Sequence, residues 1–210
     1  MRKLLLSLTL LTAPQVIAEE TQNVDSFNGT YLGAGLGYGF SENTIETSRA
    51  GIPIQNISAK ANGFFGSLLL GSGKTANAHP FYCSGEILID FAKTQNDRCV
   101  FQGANEEIKS NGVAPYFGFR VGCASDGALF FGKLGLVHKR VSVDNSMRSI
   151  KISKLIPVWG LGVEKSICNK CTSRVDIEYR MKTDKSADNY KLEVGRSINL
   201  RIAFIYNVKF

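Results

Sequence analysis

Large apolar residues alternate with small or polar ones along most of the chain, and the final segment shows the pattern most clearly. Every second position there is apolar: Ile198, Leu200, Ile202, Phe204, Tyr206, Val208 and Phe210. The positions between them are small or polar, with the exception of Ile205. Because successive side chains of a strand point to opposite faces, this period of two predicts a β-strand with one apolar face.

The same period recurs in seven earlier segments, which are separated by clusters of Gly, Asn, Asp and Ser. The eight predicted strands lie near residues 29 to 41, 60 to 71, 81 to 93, 112 to 123, 128 to 140, 155 to 166, 173 to 183 and 196 to 210. Long polar connections, at 42 to 59, 94 to 111, 141 to 153 and 184 to 193, alternate with short ones. This order predicts an all-β fold, an eight-stranded antiparallel up-and-down transmembrane β-barrel with long loops outside the cell and tight turns in the periplasm.

Alternation alone does not separate a membrane barrel from a soluble eight-stranded barrel, and the charges decide between them. One face carries five acids and six bases: Glu86, Asp90, Glu164, Asp176 and Glu178 with Arg120, Lys133, Arg174, Arg180, Arg201 and Lys209. If this face points inward, the balanced charges pair across a narrow lumen while the aliphatic and aromatic face meets lipid. The sequence therefore predicts a lumen charge network that is structural rather than a transport path.

The first residues are typical of an export signal. Arg2 and Lys3 precede an apolar stretch, and residues 16–18 form a small-residue exit site, which predicts a signal peptide cleaved after Ala18. We expect residues 19–27 to form an N-terminal lead and residues 28–210 the barrel. The chain has 25 Lys plus Arg and 18 Asp plus Glu, so cleavage leaves a modest basic excess. Export then argues against a nucleic-acid partner.

Three segments carry a resemblance to a known family. They are the glycine-alternating strand at 30–40, the charged strand at 174–180 and the ending Tyr206-Asn207-Val208-Lys209-Phe210. With the export signal, they make the chain similar to the opacity-type, OmpA-like small outer-membrane porin family. That resemblance implies a bacterial outer-membrane location. It also implies that the terminal pattern Phe204, Tyr206, Val208 and Phe210 is recognised by the outer-membrane barrel assembly machinery.

The cysteines offer two candidate pairs. An even hairpin centred near Gly103 would set Cys83 opposite Cys123, which predicts a cross-strand disulfide. Cys168 and Cys171 have the spacing of a redox motif but lie in a predicted turn, so a local disulfide or two free thiols are favoured over a low-pKa helix site. Cys99 remains in a loop.

Other motifs favour plain structural roles. Gly71-Ser72-Gly73-Lys74-Thr75 imitates a phosphate-binding loop, but Leu68 stands where the first glycine is needed, so a turn is favoured. His138 falls at the outer end of the fifth predicted strand, where a catalytic site would need a serine, and Ser142 is only a loose candidate. Packing at the interface is favoured for His138. We expect no metal, no cofactor and no enzymatic activity.

These observations together predict an outer-membrane barrel with a structural or surface-interaction role, which displays four extracellular loops as a surface antigen or adhesin. A small porin for ions or solutes is the alternative, and a lipid-modifying barrel enzyme ranks third. Near-neutral lumen charge favours a plug over a selective channel. We expect a monomer whose partners are outer-membrane lipid, lipopolysaccharide and a host or surface ligand at the loops. Six basic residues near the outer ends suit lipopolysaccharide phosphates, namely Arg140, Arg148, Lys151, Lys154, Lys185 and Lys191.

Overall fold

The computed structural model describes residues 27–49, 52–76, 80–92, 96–101, 104–110, 112–145, 148–187 and 190–208. The expected signal peptide and nearly all of the N-terminal lead lie outside these residues, as do Lys209 and Phe210. The described residues form twelve strands: β1 (Gly29–Arg49), β2 (Ile52–Thr75), β3 (Phe81–Ala92), β4 (Asn96–Phe101), β5 (Ala104–Ser110), β6 (Val113–Ser125), β7 (Ala128–Asn145), β8 (Arg148–Cys168), β9 (Cys171–Arg180), β10 (Thr183–Ala187), β11 (Tyr190–Val194) and β12 (Ser197–Val208).

Eight of these strands close into an antiparallel barrel, as predicted. Each of β1, β2, β3, β6, β7, β8, β9 and β12 pairs with the next in that order. The sheet closes because β1 also pairs with β12, from Thr30 opposite Val208 to Ser41 opposite Ser197. Closure leaves no unpaired strand edge in the barrel wall.

Tight turns mark one end of the barrel, which we call the turn end. Asp126 and Gly127 join β6 to β7 as a two-residue loop, and both have positive φ, 48° and 70°. An Asp-Gly pair in this conformation matches the right-handed twist of the flanking strands. Two residues also join β8 to β9, between Cys168 and Cys171, where the pairing shifts register after Ser166.

The opposite end, which we call the hairpin end, differs from the sequence prediction. The segments expected as long loops continue as paired strands: β1 and β2 pair as far as Arg49 and Ile52, and β7 and β8 as far as Asn145 and Arg148. The two other segments hold short hairpins, β4 with β5 and β10 with β11. The sequence did not predict these strands because their residues are mostly polar. Outside a membrane, strands can pair through their backbones without an apolar face.

The four hairpins are joined in two groups. β11 pairs with β1 at residues 44–47, and β5 pairs with β7 at residues 141–144. The hairpin end therefore carries two four-stranded sheets, in the orders β10-β11-β1-β2 and β4-β5-β7-β8.

The two faces of the wall have opposite chemistry. Large apolar side chains point outward along every barrel strand, and Leu36, Phe64 and Phe117 expose 74%, 79% and 69% of their surface. An apolar belt of this kind around a water-soluble protein would be strongly unfavourable, but it suits a hydrocarbon environment. Phe81 and Phe91 lie near the two ends of β3 and are ten residues apart, which is about 33 Å along a strand, or about 23 Å of height at a tilt near 45°. That height matches the apolar band of an outer-membrane barrel.

Among the residues that the structure describes, no helix is long and apolar enough to cross a membrane.

Candidate functional site

The barrel lumen holds the candidate site, and its first part lies towards the turn end. The turn-end cluster comprises Glu86 on β3, Arg120 on β6, Glu164 on β8 and Arg174 on β9, all of them buried. Arg120 Nη1 donates to Glu164 Oε2 at 2.8 Å, and Arg174 Nη1 donates to Glu86 Oε2 at 2.7 Å. Arg120 Nε lies 3.4 Å from Glu86, and Arg174 Nε donates to Glu164 at 3.2 Å. Each base therefore contacts both acids.

Aromatic side chains complete the turn-end cluster. Arg120 Nη2 donates to the hydroxyls of Tyr31 at 2.8 Å and Tyr82 at 3.1 Å, and Tyr31 in turn donates to Glu86 at 3.1 Å. The Arg120 guanidinium also lies 4.8 Å from the centre of the Phe131 ring. Hydrogen bonds and cation–π contacts together offset part of the hydration that these buried charges have lost. Glu86 Oε1 and Arg174 Nη2 are buried without a hydrogen-bond partner among the described residues.

A second group of charges, the hairpin-end cluster, lies further along the lumen. It comprises Asp90, Lys133, Asp176, Glu178, Arg180 and Arg201, of which all but Arg180 are buried.

Charge pairs connect all six residues of this cluster. Lys133 Nζ lies 2.9 Å from Asp176 and 2.8 Å from Glu178. Arg180 bridges Glu178 at 2.6 Å and Asp90 at 2.5 Å, and Arg201 bridges Asp90 at 3.1 Å and Asp176 at 3.2 Å. The cluster is therefore a closed ring of alternating charges.

Both clusters are electrically neutral. The turn-end cluster has two acids and two bases, and the hairpin-end cluster has three of each. Six of the eight barrel strands contribute a charged side chain to the clusters. The other two, β1 and β2, contribute Tyr31 and Ser67 as hydrogen-bonding groups. The clusters therefore include side chains from every strand of the barrel wall. The structure thus places ten of the eleven charged residues expected in the lumen within two networks, and the eleventh, Lys209, lies outside the described residues.

Glycine makes room for the largest side chains of the lumen. A Cβ on Gly37 would collide with the Phe65 ring and would lie 2.6 Å from the Leu200 carbonyl oxygen. The bare inward face of β1 therefore gives space to the side chains that project from the other strands. Because an eight-stranded barrel is only wide enough to be filled by side chains, small and large residues must alternate around it.

Several lumen residues had no individual prediction. Tyr31, Tyr82 and Tyr116 point inward and are buried, as are Phe65 and Phe131. The alternation in the sequence predicts that these residues point inward. It does not predict that their rings contact the arginine side chains, because those contacts depend on which strands face each other across the lumen. An apolar cluster closes the turn end of the lumen and consists of Phe27, Tyr82, Ala124, Leu129 and Phe131.

His138 has a serine partner that differs from the one considered in the sequence. Its Nε2 lies 2.5 Å from Ser153 Oγ on β8, and Ser142 lies four residues further along β7 itself. The side chain of Ser142 is outside the described residues. Within the described part of the chain, no group of three or more His, Cys, Asp or Glu is arranged to bind a metal ion.

The expected direct opposition of Cys83 and Cys123 is wrong. Cys83 faces Val121 and Cys123 faces Phe81, so the two cysteines are diagonal neighbours on the outward face. The pairing of β3 with β6 is centred one position earlier than Gly103, so the residue opposite each cysteine lies two positions away from the other cysteine. Cys168 and Cys171, in contrast, face each other directly, and all four are free thiols in the structure.

The terminal strand presents its apolar residues to the outside. Phe204 and Tyr206 are exposed, and Val208 is half-buried at the turn end opposite Thr30. Phe210 lies outside the described residues.

Comparison with known proteins identifies the fold. No family model matches the chain, and no curated protein matches its sequence. Among solved structures, the outer membrane protease OmpT from Escherichia coli is similar with a TM-score of 0.52 and 7% identity, over 87% of this chain and 97% of that one. Neisserial surface protein A gives a TM-score of 0.49 and 13% identity, over 86% of this chain and 98% of that one.

A third structure, Ail of Yersinia pestis, was solved with the heparin analogue sucrose octasulfate. It matches with a TM-score of 0.42 and 13% identity, over 85% of this chain and 99% of that one. These neighbours are bacterial outer-membrane barrels.

Proposed function

We propose that this outer-membrane β-barrel is a non-conducting membrane anchor that presents its two hairpin-end sheets outside the cell, where they act as an adhesin-like or antigenic surface. The role is structural and interactive rather than enzymatic. On this proposal the turn end faces the periplasm, and a single chain inserts as a monomer because its barrel sheet is already closed.

The observation that carries the proposal is that two neutral ionic clusters and buried aromatic side chains occupy the lumen. Two neutral ionic clusters connect the strands around the lumen, and an apolar cluster closes the turn end. A selective channel normally exposes an excess of one sign of charge to water along its pore. Here most of the charged side chains of the two clusters are buried and form ion pairs with each other, which supports an anchor over a porin.

Strand length supports the display of the hairpins. A membrane-crossing β-strand needs about 9–11 residues. β3, β9 and β12 have 12, 10 and 12 residues, whereas β1, β2, β7 and β8 have 21, 24, 18 and 21. The four long strands therefore have roughly ten residues more than the membrane requires. That excess supports two paired sheets that rise above the outer leaflet.

Lipopolysaccharide is the proposed lipid partner at the base of these sheets. Arg140 is exposed on the outward face of β7, directly opposite Ser153 and two residues beyond His138. An exposed guanidinium in this position can bind a phosphate group through two hydrogen bonds. During insertion, the outward apolar pattern of β12 is the proposed contact for the barrel assembly machinery.

Planar-bilayer recording tests the anchor against the porin. The purified full chain is folded in detergent and added to a planar bilayer in about 1 M salt. We expect it to produce no reproducible steps of ionic current. Sustained unitary conductance that scales with salt concentration would replace the proposed anchor with a pore. A known open porin added to the same bilayer serves as the positive control.

Shortened hairpins test the surface role. One variant removes residues 141–152 and joins Arg140 to Ser153 through an Asn-Gly turn, which takes away the centre of the sheet β4-β5-β7-β8. The matched variant removes residues 44–58 in the same way from β1 and β2. Both should still insert, because the lumen network lies below the cuts. Bacteria that display the full chain should bind cultured epithelial cells, and at least one variant should lose that binding; equal binding by all three would contradict the proposal.

A further inference from the structure

The turn between β8 and β9 carries two thiols in a chemically useful arrangement. Cys168 and Cys171 are the last residue of β8 and the first residue of β9, and they pair directly across a two-residue loop. Directly paired residues of antiparallel strands have Cα atoms about 4.5–5.5 Å apart, which falls inside the range that a disulfide spans. The two sulfur atoms can therefore bond without displacement of the strands.

The chain also offers an internal comparison. Cys83 and Cys123 lie on neighbouring strands near the same end of the barrel, but they are diagonal in the register. Diagonal neighbours lie about 7–8 Å apart, beyond the reach of a disulfide without backbone movement. The register therefore selects one of the two cysteine pairs for bond formation.

Exposure and local contacts favour reaction at the turn. Cys168 is exposed and Cys171 is half-buried, so a reagent in water can reach the first sulfur. The thiol of Cys171 donates a hydrogen bond to Cys168, which lowers the pKa of Cys168 and raises the pKa of Cys171. A lower pKa increases the thiolate fraction near neutral pH, and the thiolate is the nucleophile in exchange with disulfides.

The neighbouring lumen contacts do not depend on the thiols. Thr172 Oγ1 donates to Glu164 at 2.6 Å and thereby holds the start of β9 against β8. Since Glu164 is already bound by Arg120 and Arg174, the hairpin is fixed whether the sulfurs are bonded or not. A disulfide across so short a loop also adds little restriction to the unfolded chain. The pair is therefore suited to reversible chemistry rather than to stabilising the fold.

We propose that Cys168 and Cys171 form a reversible dithiol–disulfide site at the turn end, which reacts with disulfide-bearing oxidants while the lumen network stays in place. In the first step the Cys168 thiolate attacks the oxidant, forming a mixed disulfide and releasing one thiolate. Cys171, once deprotonated, then attacks the Cys168 sulfur and releases the second thiolate. Two electrons and two protons pass to the oxidant, which leaves as two thiols.

Trypsin makes the test simple, because cleavage after Lys and Arg places the five cysteines in five different peptides. Cys168 falls in residues 166–170 and Cys171 in residues 171–174, while Cys83, Cys99 and Cys123 fall in residues 75–93, 99–109 and 121–133. The full chain, folded in detergent, is equilibrated with mixtures of reduced and oxidised glutathione, quenched with acid and alkylated. Mass spectrometry of the digest then reports every disulfide by the two peptides that it joins.

The expected result is a disulfide that joins the peptide of residues 166–170 to the peptide of residues 171–174. It should form in one transition as the share of oxidised glutathione rises. Excess reduced glutathione should break it again. In Cys171→Ser, glutathione should remain attached to Cys168, because the second attack is absent. In the control Cys123→Ser, the disulfide should form at the same ratio as in the parent. The fold of each variant is checked by its shift on an unheated gel, and the parent chain alone suffices if Cys171→Ser does not fold.

Three results would overturn the proposal. One is a pair of alkylated thiols at Cys168 and Cys171 under every mixture. Another is a link between residues 75–93 and 121–133 that forms as readily as the link at the turn. The third is a gel shift lost on oxidation of the parent, which would show that the turn and the lumen network are not independent.

Discussion

The turn-end and hairpin-end clusters of the lumen are both neutral, but their surroundings differ. Arg120 and Arg174 at the turn end have fully buried side chains and lie against Tyr31 and Phe131. Arg180 at the hairpin end retains 11% exposure of its side chain. Two clusters with the same charge balance can therefore differ in their contribution to stability, because the free energy lost when one partner is removed depends on how far water is excluded from the other.

The largest effect is expected for Arg174→Met. This change leaves Glu86 and Glu164 buried with Arg120 as their remaining base, and an uncompensated buried charge costs about 3–5 kcal/mol. Urea unfolding of the barrel in lipid vesicles, followed by the fluorescence of Trp159, measures the loss.

The double variant Arg174→Met with Glu86→Gln serves as its control. Because it restores neutrality, it should be less destabilised than Arg174→Met alone. A double variant that is as unstable as the two single losses combined would show that packing, rather than charge balance, controls the turn end.

A smaller effect is expected for Arg180→Met in the hairpin-end cluster. Its partners Glu178 and Asp90 keep Lys133 and Arg201, and the site lies close to water. The free energy of unfolding should fall by about 1.5–3 kcal/mol, as for hydrogen bonds to charged groups. The same urea experiment applies, and a loss equal to that of Arg174→Met would erase the difference between the two clusters.

Two glycine-to-alanine variants, one near each end of the barrel, test how tightly the turn end and the hairpin end are packed. A Cβ on Gly73 would collide with the Tyr82 hydroxyl and would lie 2.7 Å from Ser84 Cβ, whereas a Cβ on Gly39 would approach Asn199 Oδ1 at 2.5 Å and no other atom closer than 3.6 Å. The Asn199 amide is held by a long hydrogen bond to Glu178, at 3.4 Å, and can shift slightly, whereas Tyr82 is held by Arg120 at 3.1 Å. Gly73→Ala should lose about 1–2 kcal/mol and Gly39→Ala less than about 1 kcal/mol in urea unfolding; the reverse order would contradict this picture of a tighter turn end.

The smallest effect concerns pH at the turn itself. Since the pKa of Cys168 is lowered by its hydrogen bond with Cys171, while that of Cys171 is raised, alkylation of Cys168 should begin at lower pH. Iodoacetamide labelling from pH 6 to about 10, read from the two tryptic peptides, measures both profiles. Cys83 provides an internal reference in the same digest, and coincident profiles for Cys168 and Cys171 would contradict the inferred hydrogen bond.

Much of the wall was predictable because alternation is a local property. The strands that contain Glu86, Arg120, Lys133 and Glu164 could be oriented from their neighbours in sequence, and the inward face follows from where charge can be tolerated. The extent of β1 and β2 was not predictable in this way. Beyond residue 41 the chain loses its apolar stripe, so only the pairing with β2 reveals that the strand continues.

The sequence by itself determined that the chain forms an eight-stranded barrel and which side chains face inward, since both follow from a period of two and a balance of charge. Tertiary structure decided which acid meets which base, that Ser153 contacts His138, and that Cys171 faces Cys168 whereas Cys123 lies diagonal to Cys83. The physical reason is register: a one-residue change in how two strands align leaves each strand's own pattern intact but replaces every partner across the sheet.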